Sequence, residues 1–260
     1  MNININPICV LAVGAHPDDL ELQCAGTLAR YIQQGSTVIL AIATDGSAGH
    51  RTIPTGELVA IRKEEAYRSA SILGAELHWL GYPDELLSDD IETRLRFIEL
   101  IRAARPQVIL THHPQDYHPD HRAVNRLVFD ASFVAQLPNI QMYSSPTASP
   151  ALEWVPALYY FENFMGVNFV PTEFVDITET FAIKRQMLAC HKSQMNSSPM
   201  NSSPMYSSQM TRLEDRQGEN LLEMIAVQSR FRGLQCGVTY AEGFTFENVA
   251  PRLQPRRLLP

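Results

Sequence analysis

His16-Pro17-Asp18-Asp19 and His118-Pro119-Asp120-His121 each offer imidazole and carboxylate within about one turn of chain. Those donors suit a divalent cation, because a catalytic metal in a hydrolase is usually held by about three protein ligands with one position left open for water. His16 and Asp19, at i and i+3 across a turn, can converge on one point, which leaves Asp18 directed elsewhere. In the second segment His118 falls near a helix N-cap, and Pro119 suits the first helical position because its missing N–H is not needed there. Asp120 and His121 then occupy the first turn, where a carboxylate also suits the helix dipole. His118 and His121 share a face. Four of the eight histidines are crowded into residues 112–121, which packing alone does not explain. Either motif alone is a common accident of composition. Two of them, each beyond the end of an expected strand, point to one metal site.

The elements that must position these residues are legible in the hydrophobic pattern. Cys9–Gly14 is an apolar run ending in small residues, and Leu20–Gln34 follows with helical spacing until Gly35 stops it. Thr37–Ala43 is β-branched without alternation, as expected of a strand covered on both faces. The pattern repeats: helix Leu58–Leu73 closed by Gly74, strand Glu76–Leu80, helix Ile91–Ala104, then strand Gln107–Thr111 after Pro106. Alternating strands and helices predict an α/β fold, a Rossmann-like, doubly wound, mostly parallel sheet with a more irregular C-terminal part. Ligands in such sheets sit beyond the carboxyl ends of the strands, where both motifs lie.

After about residue 140 the pattern predicts short strands at Ala157–Phe161 and Phe174–Ile177 and a helix at Glu179–His191. A long helix at Leu213–Phe231, with Gly233 beyond its end, precedes a last strand at Val238–Phe246. Residues 1–250 read as a single domain, and 251–260 as a surface tail. The segment 194–210 repeats methionine, serine, asparagine and proline with a period of five. It reads as a low-complexity loop made by tandem duplication, since that spacing puts the methionine sulfurs on no common face for a soft metal.

Composition narrows the partners. A chain of 260 residues can bury a large core, and 45% hydrophobic with 19% charged residues is ordinary for a globular protein. The formal charge of −7 argues against nucleic acid or an anionic membrane surface as the main partner. Met1–Asn6 has no basic n-region and no long apolar run, so no signal peptide is expected, and no stretch approaches a membrane span. Cys9, Cys24, Cys190 and Cys236 are dispersed without a C-x-x-C pair, the pattern of buried thiols in a reducing cytoplasm.

Val13-Gly14-Ala15-His16-Pro17-Asp18-Asp19-Leu20-Glu21 with Gly26, and Tyr117-His118-Pro119-Asp120-His121, closely resemble the zinc-dependent de-N-acetylases of the PIG-L/LmbE type. The resemblance runs in order from residue 9 to about 194. It takes in Arg62-Lys63-Glu64-Glu65, Leu73-Gly74-Ala75, Gly81-Tyr82-Pro83-Asp84 and Cys190-His191-Lys192-Ser193-Gln194. It implies that His16, Asp19 and His121 bind zinc, that Asp18 is the general base, and that His118 faces the substrate carbonyl as an imidazolium, with Asp120 holding its other ring nitrogen. It further implies that Arg62 and Asp84 face a sugar and that His191 lies in a segment capping the site. Iron(II) accepts the same donors. Of His112 and His113, one is expected to support the site and one to be structural, while His50 and His78 are given no role. Several relatives place a tyrosine where this chain has Asp116, which weakens any oxyanion role for Tyr117. The glycines of the Thr44–Pro54 loop are expected to let it move.

The resulting expectation is a cytoplasmic hydrolase that removes an N-acetyl group from a small-molecule amino-sugar substrate, giving a free amine and acetate. A non-sugar acyl conjugate as substrate, and a noncatalytic sugar-binding protein of the same fold, are the alternatives. Relatives of this kind are often oligomeric, so a homo-oligomer stays open.

Overall fold

Strand residues Val10–Val13 are entirely buried although they alternate in direction, because both faces of their sheet are covered. The computed structural model describes residues 7–143, 149–195, 217–255 and 257–260. Most of the 194–210 repeat and the expected start of the last helix lie outside the described residues. The strands are β1 (Cys9–Gly14), β2 (Thr37–Thr44), β3 (Glu76–Tyr82), β4 (Val108–Thr111), β5 (Ala157–Phe161), β6 (Glu173–Asp176) and β7 (Ala241–Phe246). They form a 7-stranded sheet in the order β3-β2-β1-β4-β5-β7-β6. β1 to β5 pair in parallel, and β7 runs antiparallel to both β5 and β6. The mixed α/β, mostly parallel architecture expected from the sequence is present.

Among the described residues, the helices are α1 (Asp19–Gln23), α2 (Ala25–Gln33), α3 (Thr55–Leu73), α4 (Ile91–Ala104), α5 (Pro119–Val134), α6 (Phe181–Leu188), α7 (Lys192–Met195) and α8 (Gln217–Cys236). Alternate strand residues feed two cores. Val10, Ala12, Val38 and Leu40 pack with Leu28 and Tyr31 of α2, while Leu11, Val13, Ile39 and Ala41 pack with Phe97 of α4 and Leu127 of α5. β1 pairs with β2 on one side and β4 on the other, Val13 lying opposite both Ala41 and Thr111. The order therefore reverses between β1 and β4, and their carboxyl ends open side by side at the switch point where ligands bind.

Three expectations are corrected. The helix read over Leu20–Gln34 is broken at Cys24, and the break is held by side chains from far along the chain. The Glu242 carboxylate accepts from the backbone N–H groups of Gly26 and Thr27 at 3.0 and 2.7 Å, and Lys184 Nζ donates to both Leu22 O (2.9 Å) and Glu242 (2.6 Å). An anion thus caps α2 from outside its own sequence. The last helix runs past Gly233 and stops at Gly237, whose φ of +82° is the left-handed conformation of a helix stop.

The residues from Pro251 onward are not a surface tail. Leu258 and Leu259 are buried in the core beneath α2, with Tyr31 Oη donating to Leu258 O at 2.9 Å. Arg252, also buried, donates to Phe129 O on α5 at 2.7 Å. The strap joins the two faces because its leucines have apolar cover to gain, a long-range fact that local composition does not carry.

Candidate functional site

His16 follows β1 by two residues, and α1 begins at Asp19, so the first motif is a tight strand-to-helix turn. Asp18 at its centre has φ of +118°, an unfavourable conformation for a residue with a Cβ. The turn brings Asp19 back to accept from the His16 backbone N–H at 2.7 Å. The second motif opens α5 as its sequence predicts: His118 is the N-cap, its Nδ1 accepting from Asp120 N at 3.2 Å, and Pro119 is the first helical residue.

The two turns bring three donors to one spot. His16 Nδ1 lies 3.2 Å from His121 Nε2 and 3.5 Å from Asp19 Oδ2, while the other oxygen, Asp19 Oδ1, is 3.4 Å from His121 Nε2. Ligands held about 2.0 to 2.2 Å from a tetrahedral metal are separated by about 3.3 to 3.6 Å, so the side chains are spaced as ligands of one ion would be. The outer nitrogens sharpen the point. His16 Nε2 faces Asp84 at 3.1 Å and Asp120 at 3.3 Å, and His121 Nδ1 faces Asp116 at 3.1 Å. Carboxylates beside the outer nitrogens favour the ring protons there, so both inward nitrogens can turn lone pairs on one point. Such a pair is satisfied by a proton or by a metal ion between its members.

The electrostatics agree. Burial opposes charge on His16, but Asp120, Asp19 and Asp84 outweigh it and hold its pKa well above the ordinary range. Burial likewise opposes charge on His121, yet Asp19 and Asp116 lift it to about 9. Burial works to raise the Asp19 carboxyl, and His121 and His112 override it and hold it well below the usual value. Among the described residues, the groups close enough to share an ion are His16, His118 and His121; Asp19, His112 and His121; and His16, Asp84 and Asp120, so that each includes His16 or His121 and Asp19 shares its group with His121.

Asp18 stands apart from the triangle. Burial raises its carboxyl to about 6, against the attraction of Arg62 and with a further push from Asp19. Arg62 is buried rather than part of a solvated helix face: NH2 donates to Pro17 O at 2.6 Å and lies 3.5 Å from Asp18, and NH1 donates to Gly46 O at 3.1 Å. A Cβ on Gly46 or Gly49 would fall within 2.7 or 2.5 Å of Arg62 NH1, so these glycines let the loop close onto the guanidinium. The same loop is pinned by Ala48 N donating to Asp84 at 2.9 Å, which replaces the mobility expected of its glycines with an anchored contact.

Several expected roles change partners. Asp120 does not hold His118: its carboxylate accepts from Glu85 N (2.8 Å) and Leu87 N (3.3 Å) and faces His16. His118 Nε2 instead meets Glu85 Oε1 at 3.1 Å. His118 Nδ1 accepts from Asp120 N, and burial together with His16 and His121 lowers its pKa, which favours a neutral ring with its proton on Nε2 over the expected imidazolium. Asp84 lines the cleft but spends its carboxylate on His16 and Ala48. His191 is fully buried, 3.2 Å from Glu21, and cannot touch a substrate from there.

His112 supports the site, 3.2 Å from Asp19 and stacked on His121, while His113 packs edge-on against Tyr160 and Phe169. Asp116 and Glu85 are the residues that sequence reasoning missed. Asp116 had a signal, an acid set among four histidines; Glu85 had none.

The open side of the cluster is a cleft of about 170 Å³ bordered by Asp18, Arg62, Glu85, His118, Phe164 and Leu221. Among the described residues no helix is long and apolar enough to cross a membrane.

Comparison with known proteins bears on this geometry. Residues 11–132 match the family described as PIG-L: GlcNAc-PI de-N-acetylase. The chain is 32% identical over 191 residues to the diacetylchitobiose deacetylase of Thermococcus kodakarensis, covering 71% of this chain and 69% of that protein. It is 26% identical to the 4-oxalmesaconate hydratase of Pseudomonas putida, covering 74% and 76%. The structure of N,N'-diacetylchitobiose deacetylase from Pyrococcus horikoshii superposes with a TM-score of 0.72 at 26% identity, covering 91% of this chain and 82% of that one.

Proposed function

The chain belongs to the PIG-L family of GlcNAc-PI de-N-acetylases, and from that premise we propose that it is a divalent-metal-dependent N-deacetylase, acting on an N-acetylglucosamine-type amide and releasing acetate and a free amine. The observation that carries the reading is the pair of inward imidazole nitrogens and the Asp19 carboxylate, with Asp18 free beside them at the edge of the cleft. His16, Asp19 and His121 hold the ion, zinc being the first choice for two imidazoles and a carboxylate and iron(II) the second. When bound, that ion acidifies a water and polarises the acetamide carbonyl.

The protein groups divide the remaining work. Asp18, with a pKa near 6, is ionised at neutral pH and takes the proton of the attacking water. It then returns a proton to the nitrogen as the carbon–nitrogen bond breaks. Arg62, anchored on Pro17 O, fixes the direction of the Asp18 carboxylate. His118 donates its Nε2–H to the carbonyl oxygen as negative charge gathers there, an interaction typically worth about 3 to 4 kcal/mol. It does so as a neutral donor: that N–H faces the Glu85 carboxylate in the free protein, and the substrate oxygen takes the carboxylate's place. Asp120 orients His16, and Asp116 orients His121. The dispersed free thiols favour a reducing compartment, so the cytoplasm is the proposed location.

A relative named as a hydratase makes addition of water to a conjugated double bond the second reading. Purified protein, assayed metal-free and then with added zinc or iron(II), should release acetate from N-acetylglucosamine glycosides only with metal. Turnover of an unsaturated dicarboxylate, with no acetate from any acetamido sugar, would replace the first reading by the second.

A further inference from the structure

The cleft does not end at the catalytic groups. Its outer wall is made by Phe164 and by Leu221 of α8, and both of these elements continue outward as the sides of a second cavity. There Met165 forms one wall, and Met224, Val227 and Phe231 of α8 form the other, around a groove of about 350 Å³. That volume is in the range of small-molecule sites, about 300 to 1,000 Å³, and so is its chemistry: apolar walls with few polar groups. With a rise of about 1.5 Å per residue, α8 carries the groove from about 5 to about 15 Å beyond Leu221. Phe164 and Met224 pack against one hydrophobic cluster with Leu221, so the partition between cleft and groove is itself apolar.

Three features identify what the groove suits. Met165 is held at φ of +64° with half its surface exposed, an unfavourable backbone that displays a flexible apolar side chain to solvent. Val227 and Phe231, one turn apart on α8, are also more than half exposed, so these walls have apolar surface left to bury. The charged groups of the lining are Glu223, whose exposed carboxylate can stay in water at the rim, and Arg232, which is already engaged. Arg232 Nε is bound to Glu162 at 2.5 Å and NH1 to Gln235 at 2.8 Å, and Gln228 bonds to Glu162 and, at 3.4 Å, to Gln23 of the catalytic cleft. A cation already neutralised by its own carboxylate does not recruit an anionic ligand.

The geometry points to this groove as the subsite for an apolar aglycone, so that the substrate is a 2-acetamido sugar joined through its glycosidic oxygen to an alkyl or aryl group. The inference rests on the deacetylase reading for the position of the sugar, in the cleft beside Asp18 and His118. The aglycone then leaves the sugar past Phe164 and lies between Met165 and α8. The groove contributes affinity, and chemistry stays at the metal cluster.

The test compares the methyl and hexyl glycosides of N-acetylglucosamine with the metal-loaded enzyme. The hexyl glycoside should have a kcat/KM about tenfold or more above the methyl glycoside, carried by KM, as expected from burying two or more methylenes. In V227D and F231S, changes at exposed positions that the fold tolerates, the ratio between the two glycosides should collapse toward unity while the melting temperature holds. Equal kcat/KM values for the two glycosides in the wild type would overturn the subsite. So would a ratio unmoved by both variants, or a concentration-dependent dimer dissociated by F231S without any aglycone preference.

If neither glycoside releases acetate, the deacetylase reading fails by itself, and calorimetric binding decides the subsite. Tighter binding of the hexyl than the methyl glycoside, lost in V227D, sustains it, and equal binding removes it.

Discussion

Two clusters of buried charge lie at the two ends of α1, and they are built on opposite plans. At the α1–α2 break, Lys184 and Glu242 satisfy each other and everything around them: the carboxylate oxygens accept from Gly26 N, Thr27 N, Thr27 Oγ1 and Lys184, and the ammonium reaches Leu22 O. At the carboxyl ends of β1 and β4, every outward nitrogen has a carboxylate while the inward nitrogens face one another. The first cluster is closed and holds the fold. The second turns two inward nitrogens and a carboxylate on one point, where a proton or a metal ion can sit, and that makes it a site. Burial alone does not separate structural from functional ions; where the unsatisfied valence points does.

The largest expected effect breaks the open cluster without emptying it. Asp18→Asn keeps the side-chain shape and tolerates the left-handed backbone, so it should retain metal and melting temperature while kcat falls by about 10² to 10⁴-fold. Unchanged turnover in acetate release would remove Asp18 from the mechanism. The converse comes from the closed cluster: Glu242→Ala strands the Lys184 ammonium and two N–H groups of α2, and should cost about 3 to 5 kcal/mol in denaturant unfolding. A stability loss that leaves metal affinity of the folded protein intact keeps the two clusters distinct; metal loss at full stability would merge them.

A smaller effect tests whether the outer carboxylates tune the inner nitrogens. Asp116→Asn, probed by competition with a chelator, should weaken metal binding by about 10 to 100-fold and leave stability almost unchanged. Equal affinity would mean that His121 needs no such partner. The smallest effect is a pH profile. Asp18 acts as a base only when ionised, so kcat/KM should fall about tenfold per unit as pH drops below the Asp18 pKa of about 6. A bound dication moves that limb to lower pH, and in Asp18→Asn it should vanish from the residual rate.

The parallel half of the fold was legible because its signals are local: Val10–Val13 and Val38–Ala43 are apolar without alternation, and Gly35 and Gly74 end the helices between them. The motifs were legible for the same reason, since His16 and Asp19, like His118 and His121, lie within one turn of chain. What failed involved distant partners. Nothing near Cys24 announces that Glu242 and Lys184 will cap a broken helix, and nothing in the 251–260 segment says that Leu258 will bury against Tyr31. His118 and Asp120 were paired because they are close in sequence. The carboxylate partner of His118 and the imidazole partner of Asp120 come instead from the turn after β3 and the turn after β1. Register across a sheet, which local pattern underdetermines, decides such pairings.

The inward-facing imidazoles of His16 and His121 have a consequence for how the protein acquires its ion. With both pKa values raised, and His121 near 9, the metal-free protein at neutral pH already stores protons in the place where a cation belongs. Loading is therefore an exchange reaction: each ion that enters expels protons to solvent, so apparent affinity climbs with pH and the heat of loading changes with the ionisation enthalpy of the buffer.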